Sequence, residues 1–312
     1  MEPRRPGDPQ GGTHAPRGAG ASEHPSGGGG LALLTDSADV TRTVVERLRR
    51  HDAGLAWAVT LGEVDVAPEE LIAAWAEDGT IRAAAVCLGT SSTSPALVRA
   101  ARAFARRKPL LTVPPRRTAR SPARRTGLVR CADLADLADT GLLLGSQPSP
   151  RGPRLGVVAS SALLAAEVGR AAQRAGLAVT RLTASCERRL ALASDGVGRA
   201  ENPVSLDPVA DPAAVADVVG TLLDSTEVDA VLLALARTPA RPSRALLHEL
   251  EAVVRGVDVP VVVGAPRGSL PSLGAPPVPV LTASSAVRAI AHGAERADWL
   301  AHASETDPDR RS

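Results

Sequence analysis

The sequence predicts an α/β protein that contains two tandem, doubly wound parallel sheets. Short and nearly continuous apolar segments alternate along the chain with segments whose apolar residues recur at helical spacing. Apolar residues make up 44% of the chain but aromatic residues only 1%, so the cores must consist mostly of small aliphatic side chains. Such cores suit helices that pack closely on both faces of parallel strands.

The first half of the chain contains four predicted strands and three predicted helices. The strands are Leu31–Thr35, Leu55–Leu61, Ile81–Leu88 and Leu110–Val113. The first helix follows from the helical spacing of Val40, Val44 and Leu48. The other two helices begin at Pro68 and Pro95, because proline is favourable at the first position of a helix.

The same alternation restarts in the second half. The predicted strands are Arg154–Ala159, Leu177–Leu182, Val228–Ala236, Val259–Val263 and Val278–Leu281. The predicted helices are Ala162–Ala175, one that starts at Asp211-Pro212, Ser243–Arg255 and Ser284–Ala301. Residues 81–113 and 228–263 form an internal repeat, since each contains a strand, a turn, a helix and a proline followed by a strand. Two tandem sheets with right-handed crossovers fit this repeat better than one large sheet.

Composition sets the expected domain boundaries. Residues 1–30 are rich in Gly, Pro, Ser and Arg, bury too little apolar surface to offset the entropy of ordering, and are predicted to be a disordered tail. The first domain is expected at 31–126 and the second at 153–303. A leucine-containing helix and a proline-rich linker join them over 127–152, and 304–312 form a second tail.

Charge, cysteine content and hydropathy argue against several classes of function. The net charge of +2 does not by itself predict a nucleic-acid partner. No apolar run reaches the ~18–20 residues of a membrane span, and the N-terminus has no apolar signal core, so a cytoplasmic protein is expected. Cys87, Cys131 and Cys186 lack the spacing of a metal or redox site, so we expect buried, reduced thiols and no metal.

Several segments, in their order along the chain, resemble one known enzyme family. They are Ala58–Val66, Gly127–Ala138, Glu201–Leu206 and Glu227–Leu232. The last two resemble the asparagine-proline-valine-aspartate-leucine and glycine-valine-aspartate-alanine-valine-leucine motifs of the NDP-forming acyl-CoA synthetases, relatives of succinyl-CoA synthetase. The resemblance covers Leu31 to Leu300 and implies a pair of flavodoxin-like ligase domains.

The same resemblance implies a loop after the fourth strand that carries a transiently phosphorylated histidine. In this chain the loop that follows Val113 contains no histidine as far as Gly127. The six histidines lie elsewhere and are expected on the surface or at helix ends: His14, His24, His51, His248, His292 and His302. Because transfer through an imidazole needs a nucleophilic ring on this loop, we predict no phosphohistidine mechanism and no catalytic residue.

In the family that this chain resembles, the turn after the first strand binds phosphate and has the sequence Ser-Gln-Ser-Gly. Here Asp36, Ser37 and Asp39 occupy that turn. Ser37 keeps a hydroxyl that is able to donate to an anion, but the two carboxylates repel phosphate. We expect Asp39 to be the helix N-cap. In the second domain, Ser160 and the following serine replace a glycine-rich turn and are expected to cap the next helix.

A basic segment is not part of the family pattern. Between Arg99 and Arg130 the chain has eleven basic residues and no acidic one. Arginine forks suit phosphate recognition, so the candidate anion-binding residues are Ser37, Arg116, Arg117, Arg124 and Arg125. A solvated loop, or a loop that docks on an acidic protein, is the favoured explanation of the segment. Nucleic acid is disfavoured, because no aromatic side chains are interleaved for base stacking.

Three functions remain open at this point. The leading hypothesis is an acyl-CoA synthetase-like protein that lacks the phosphohistidine, CoA-binding and ATP-grasp parts and acts as a non-catalytic binding or regulatory module. In the second, the chain is the ligase subunit of a split NDP-forming acyl-CoA synthetase, with separate CoA-binding and ATP-grasp subunits as partners. In the third it is a protein-interaction module that uses the basic loop. No cofactor is assigned, CoA and nucleotides stay open as ligands, and a homo-oligomer is consistent with the family.

Overall fold

A computed structural model describes residues 30–62, 66–89, 94–114, 127–193, 200–207, 210–236, 244–266 and 278–305. Within these ranges the chain forms two parallel sheets with helices packed on them, which confirms the predicted fold class. The repeated alternation of apolar strands and amphipathic helices in the sequence therefore predicted the architecture.

The first sheet contains five strands and is accompanied by three helices. The strands are β1 (Leu31–Thr35), β2 (Trp57–Thr60), β3 (Ala83–Cys87), β4 (Leu110–Thr112) and β5 (Val129–Arg130). The helices are α1 (Ala38–Arg49), α2 (Pro68–Glu77) and α3 (Pro95–Arg107). Helix α3 begins as its sequence predicts, because the Ser94 hydroxyl accepts a hydrogen bond from the Leu97 amide at 3.0 Å.

Helix α4 (Leu134–Ser146) connects the two sheets. The strands of the second sheet are β6 (Arg154–Ala159), β7 (Ala178–Val179), β8 (Val204–Ser205), β9 (Ala230–Ala234), β10 (Val261–Gly264) and β11 (Val280–Leu281). Its helices are α5 (Ala162–Arg174), α6 (Ala184–Ala193), α7 (Pro212–Leu223), α8 (Arg244–Val254) and α9 (Ala283–Glu305).

Both sheets have the strand order of flavodoxin-like domains. The first runs β2-β1-β3-β4-β5, and the second runs β7-β6-β9-β10-β11, with β8 pairing with β6 beyond the end of β7. In each sheet the chain winds first to one side of its starting strand and then to the other. A topological switch point therefore lies between β1 and β3 in the first sheet and between β6 and β9 in the second, and ligands of such folds bind at the carboxyl ends of these strands.

The hydrophobic core continues from one sheet to the other. One cluster of buried residues includes Leu33 of the first sheet, Leu137 of α4, Val157 of the second sheet and Ile290 of α9. Helices α4 and α9 pack on each other in this shared layer, and α4 also packs on α1. Polar residues on α4 and α9 therefore lie in a layer to which both halves of the molecule contribute.

A few elements differ from the sequence-based expectation. Strands β5 and β8, of two residues each, were not predicted from the sequence. Helix α6 was also missed, since it buries only Cys186 and Leu190. Asp39 is not the N-cap of α1: the extended residue before the helix is Ser37, whose carbonyl accepts the Thr41 amide, and Asp39 lies in the first turn.

The predicted tails lie almost wholly outside the described residues. The structure describes only three of the predicted tail residues. They are Gly30, whose amide donates to the carbonyl of Gly145, and the last two residues of α9. The division into domains at 126 and 153 stays a prediction. None of the described helices combines the length and the apolar character that crossing a membrane requires.

Candidate functional site

The Ser37 turn lies where a doubly wound sheet binds its ligand. Ser37 lies two residues after the end of β1 and is the N-cap residue of α1, at the carboxyl end of the strand and beside the switch point. Amides at a helix N-terminus and the positive end of the helix dipole favour an anion at such a place. The position of this candidate residue is therefore suited to anion binding.

Two amides around Ser37 are nevertheless already paired within the chain. The carboxylate of Asp36 accepts a hydrogen bond from the amide of Gly89, which follows β3, at 2.6 Å. The amide of Ser37 donates to the Thr35 hydroxyl at 3.1 Å. The bond between Asp36 and Gly89 spans the switch point from one strand end to the other. A negatively charged group of the protein thus holds an amide that an anionic ligand would otherwise contact.

The second sheet is bridged at the equivalent place. The buried hydroxyl of Ser160, directly after β6, accepts a hydrogen bond from the amide of Ala236, which follows β9, at 2.8 Å. Only Ser161 caps α5, through the Leu164 amide, so the expectation that both serines cap this helix holds for one of them. Both switch points of the molecule are therefore crossed by a hydrogen bond that a main-chain amide donates to a side-chain oxygen.

The arginines predicted to bind anions, Arg116, Arg117, Arg124 and Arg125, lie outside the described residues. Nearby basic side chains that the structure describes are used internally. Lys108 donates to the main-chain carbonyls of Trp75 and Asp78 at the end of α2, at 2.9 and 2.6 Å. Arg107 forms an ion pair with Glu77. These two cations therefore stabilise helix ends.

Buried acidic residues on α4 form a polar cluster that sequence analysis did not anticipate. Asp139 forms a two-pronged ion pair with Arg47 of α1, with N–O distances of 2.7 and 2.6 Å. Asp136 accepts from His292 of α9 at 3.0 Å and from Arg288 at 3.3 Å. The two carboxylates thus join α4 to a helix of each half of the molecule.

His292 departs from the expectation of a surface histidine, because its side chain is only 16% exposed. Its ring nitrogen, the Asp136 carboxylate and the Cys131 thiol all lie within 4.8 Å of one another. Burial alone would raise the pKa of Asp136, but hydrogen bonds from His292, the Ala132 amide and Arg288 outweigh it and lower the pKa to about 2. Burial raises the pKa of the Cys131 thiol, which is therefore protonated.

Three such side chains are potential metal ligands, but their present bonds disfavour a metal. Both oxygens of Asp136 accept hydrogen bonds, and the Arg288 cation contacts one of them. We expect Co²⁺ to produce no thiolate-to-metal charge-transfer band in the near ultraviolet. A band in the natural protein that disappears in Cys131→Ser would contradict this expectation and reveal a metal site.

A pocket of about 350 Å³ lies at the amino-end edge of the first sheet. It is lined by residues 127–129 at the start of β5 and by α9 between His292 and His302. Gly127 has a positive φ of 74°, and a Cβ at this position would lie 2.4 Å from the ring of Trp299. Arg296, a buried residue of α9, also lines the pocket. Nothing in the sequence pattern predicted that this charged side chain would be buried.

Comparison with known proteins identifies relatives of this fold. Residues 28–126 match a family described as the succinyl-CoA ligase like flavodoxin domain. The dinucleotide forming acetyl-coenzyme A synthetase 1 of Ca. Korarchaeum cryptofilum, solved in its apo form and in complex with phosphate and ADP, superposes with a TM-score of 0.76 at 15% identity. The match covers 89% of this chain and 68% of that chain.

A protein from Pyrococcus horikoshii OT3 is similar as well, with a TM-score of 0.73 at 15% identity over 87% of this chain and 65% of that chain. At such low identity the likeness of the solved structures shows the fold alone. The match of residues 28–126 to the succinyl-CoA ligase like flavodoxin domain, together with the shared fold, confirms the resemblance to the NDP-forming acyl-CoA synthetases.

Proposed function

We propose that this chain is a non-catalytic, acyl-CoA synthetase-like binding or regulatory module. The observation that carries the proposal is the hydrogen bond from the Gly89 amide to the Asp36 carboxylate across the first switch point. A phosphate at this place would have to displace the carboxylate or lie beside it. The absence of a histidine between Val113 and Gly127 supports the same conclusion, because phosphotransfer would have no nucleophile on this loop.

Charge repulsion gives the scale of the effect. Two unit charges 4 Å apart interact with about 1 kcal/mol in water and about 4 kcal/mol near a protein surface. Asp36 is exposed, so the lower value applies more closely. A penalty of this size weakens phosphate binding roughly fivefold. The geometry thus disfavours nucleotide and CoA phosphates at this edge without making the site inaccessible.

We expect calorimetric titration of the natural chain with CoA, acetyl-CoA, ADP and ATP to give no binding in the micromolar range. The chain alone is also expected to form no acetyl-CoA from acetate, CoA and ATP. Asp36→Ala removes both the charge and the bond to Gly89, whereas Asp36→Asn removes the charge and keeps an acceptor. Stronger ADP binding by the alanine variant than by the asparagine variant would indicate that the freed amide takes the phosphate.

Acetyl-CoA formation by the natural chain would refute the proposal. Micromolar CoA or nucleotide binding at the Ser37 turn would instead show that the Asp36 carboxylate does not keep phosphate from this edge. Such binding is identified by its loss in Ser37→Ala together with a change in Asp36→Asn. A second variant tests the candidate arginines of the basic loop. If the loop contributes to any observed heat of binding, that heat should fall when four residues are changed to Ser: Arg116, Arg117, Arg124 and Arg125.

One comparison favours an alternative, the ligase subunit of a split NDP-forming acyl-CoA synthetase. The similarity to the acetyl-coenzyme A synthetase spans 89% of this chain but 68% of that chain, so about a third of the relative has no counterpart here. Separate CoA-binding and ATP-grasp subunits would then complete the enzyme. Turnover by a co-purified complex that is lost when this chain is withheld supports the alternative over the non-catalytic module.

The remaining proposals concern partners and location. A protein-interaction role predicts that the quadruple arginine-to-serine change abolishes binding of an acidic partner, whereas unchanged binding would exclude the basic loop from that role. Homo-oligomers are consistent with the family and are tested by light scattering. We infer a cytoplasmic location from the three cysteines, which are all free, since secreted proteins commonly pair theirs.

A further inference from the structure

The pocket at Gly127 contains a buried positive charge that no carboxylate of the described residues neutralises. Arg296 is 8% exposed, and one of its terminal nitrogens donates to the carbonyl of Ala105 in the last turn of α3 at 2.9 Å. Its Nε atom is buried and has no hydrogen-bond partner among the residues that the structure describes. Burial lowers the pKa of this guanidinium to about 10.

A buried ion without a partner is costly, and buried charges in proteins are usually paired. The carbonyl end of α3 gives Arg296 partial compensation through the helix dipole. No carboxylate pairs with the guanidinium within the described ranges. The undescribed loop that leads into Gly127, residues 115–126, contains no acidic residue and cannot supply one. Among the described residues the guanidinium therefore has no counter-charge, and an anionic ligand in the pocket is able to supply one.

We propose that this pocket binds a small organic carboxylate, with Arg296 as the residue that neutralises its charge. A planar carboxylate matches the fork of a guanidinium, which offers two parallel N–H donors. The ring of Trp299 and the side chain of Leu128 line the same pocket and provide apolar contact for the rest of the ligand. The site differs from the switch points, since it lies at the opposite edge of the first sheet.

Size and charge restrict the class of ligand further. A volume of about 350 Å³ is near the lower end of the range for small-molecule pockets and cannot enclose a CoA molecule. Glu295 and Asp298 are exposed residues that also line the pocket. Because they flank Arg296 along the helix, they do not face its side chain directly. Their charges disfavour a dianion such as phosphate and leave a monocarboxylate as the fitting ligand.

The test is calorimetric titration of the full chain with benzoate, acetate and inorganic phosphate. Benzamide serves as the uncharged control, because it has nearly the shape of benzoate. We expect saturable benzoate binding with a dissociation constant below about 10 mM, and at least tenfold weaker binding of benzamide and phosphate. Equal binding of benzamide, or no saturable binding of either carboxylate, would overturn the proposal.

Variants of Arg296 test whether this residue forms the carboxylate site. Arg296→Met keeps an unbranched apolar chain and is expected to weaken benzoate binding at least tenfold, while Arg296→Lys keeps the charge and loses less. Unligated Arg296→Met should be at least as stable as the natural protein, because it removes an unpaired buried charge. Benzoate binding that survives Arg296→Met unchanged would place the ligand elsewhere and refute the assignment.

Two further variants keep the proposal testable if Arg296→Met does not fold. Trp299→Phe removes an indole from the pocket wall and should weaken benzoate binding and reduce any fluorescence change that benzoate causes. A benzoate titration that Trp299→Phe leaves unaltered would count against the site. Asp36→Asn lies at the opposite edge and should leave benzoate affinity unchanged, so this inference and the proposed function fail independently of each other.

Discussion

Asp139→Ala is expected to destabilise the protein by about 3 kcal/mol, at the lower end of the cost of breaking a buried ion pair. Asp139 has a side chain that is 2% exposed, and both of its oxygens bond to the guanidinium of Arg47. Removal of the carboxylate leaves that cation against the core without its partner. Because the Arg47 side chain is 20% exposed, water relieves part of the cost. Urea denaturation measures the change.

An exposed ion pair provides the matched control. Arg151 and Asp258 approach to 2.8 Å, but the Asp258 side chain is 76% exposed. Asp258→Ala should therefore change the free energy of unfolding by less than about 1 kcal/mol. The double variant Arg47→Met/Asp139→Leu removes both charges and should be more stable than Asp139→Ala alone. If Asp139→Ala is as mild as Asp258→Ala, the pair does not hold α1 to α4.

The importance of α4 was only half visible in the sequence. Its leucines predicted a linking helix, and Leu137 and Leu144 are indeed buried. Asp136 and Asp139 have the spacing of a solvated helix face, yet both are buried. Their partners Arg47 and His292 are 92 and 156 residues away along the chain. Local periodicity contains no information about such distant pairs, so the polar contacts between the two halves could not be predicted.

The candidate site shows the same limit. The sequence located the Ser37 turn and showed that it contains two carboxylates and lacks the glycine of the family's phosphate turn. It did not show that Asp36 reaches the amide of Gly89, because the register of β1 beside β3 brings these positions together only in the folded sheet. Arg296 was equally hidden, since an arginine on an amphipathic helix normally points to solvent. Its burial depends on α3 and β5 packing against α9.

Asn202 presents the opposite case, a residue that the sequence singled out and that the structure explains without a ligand. Strand β7 pairs with the beginning of β6, and β8 pairs with its end. Between these two pairings, the Asn202 side chain makes the hydrogen bonds that a neighbouring strand would otherwise make with β6. It accepts from the Val157 amide at 2.9 Å and donates to the carbonyls of Leu155 and Thr180 at 2.8 Å each.

Asn202→Ala should therefore cost about 3 kcal/mol of unfolding free energy, because three polar groups at the edge of β6 lose their partner. Asn202→Asp keeps the acceptor for Val157 but cannot donate to the two carbonyls, so it should destabilise at least as much. Urea denaturation gives both values, and amide hydrogen exchange at Val157 reports the local opening. A cost below about 1 kcal/mol for Asn202→Ala would mean that the fold does not require this asparagine. The most family-like motif in the chain would then need a ligand to explain it.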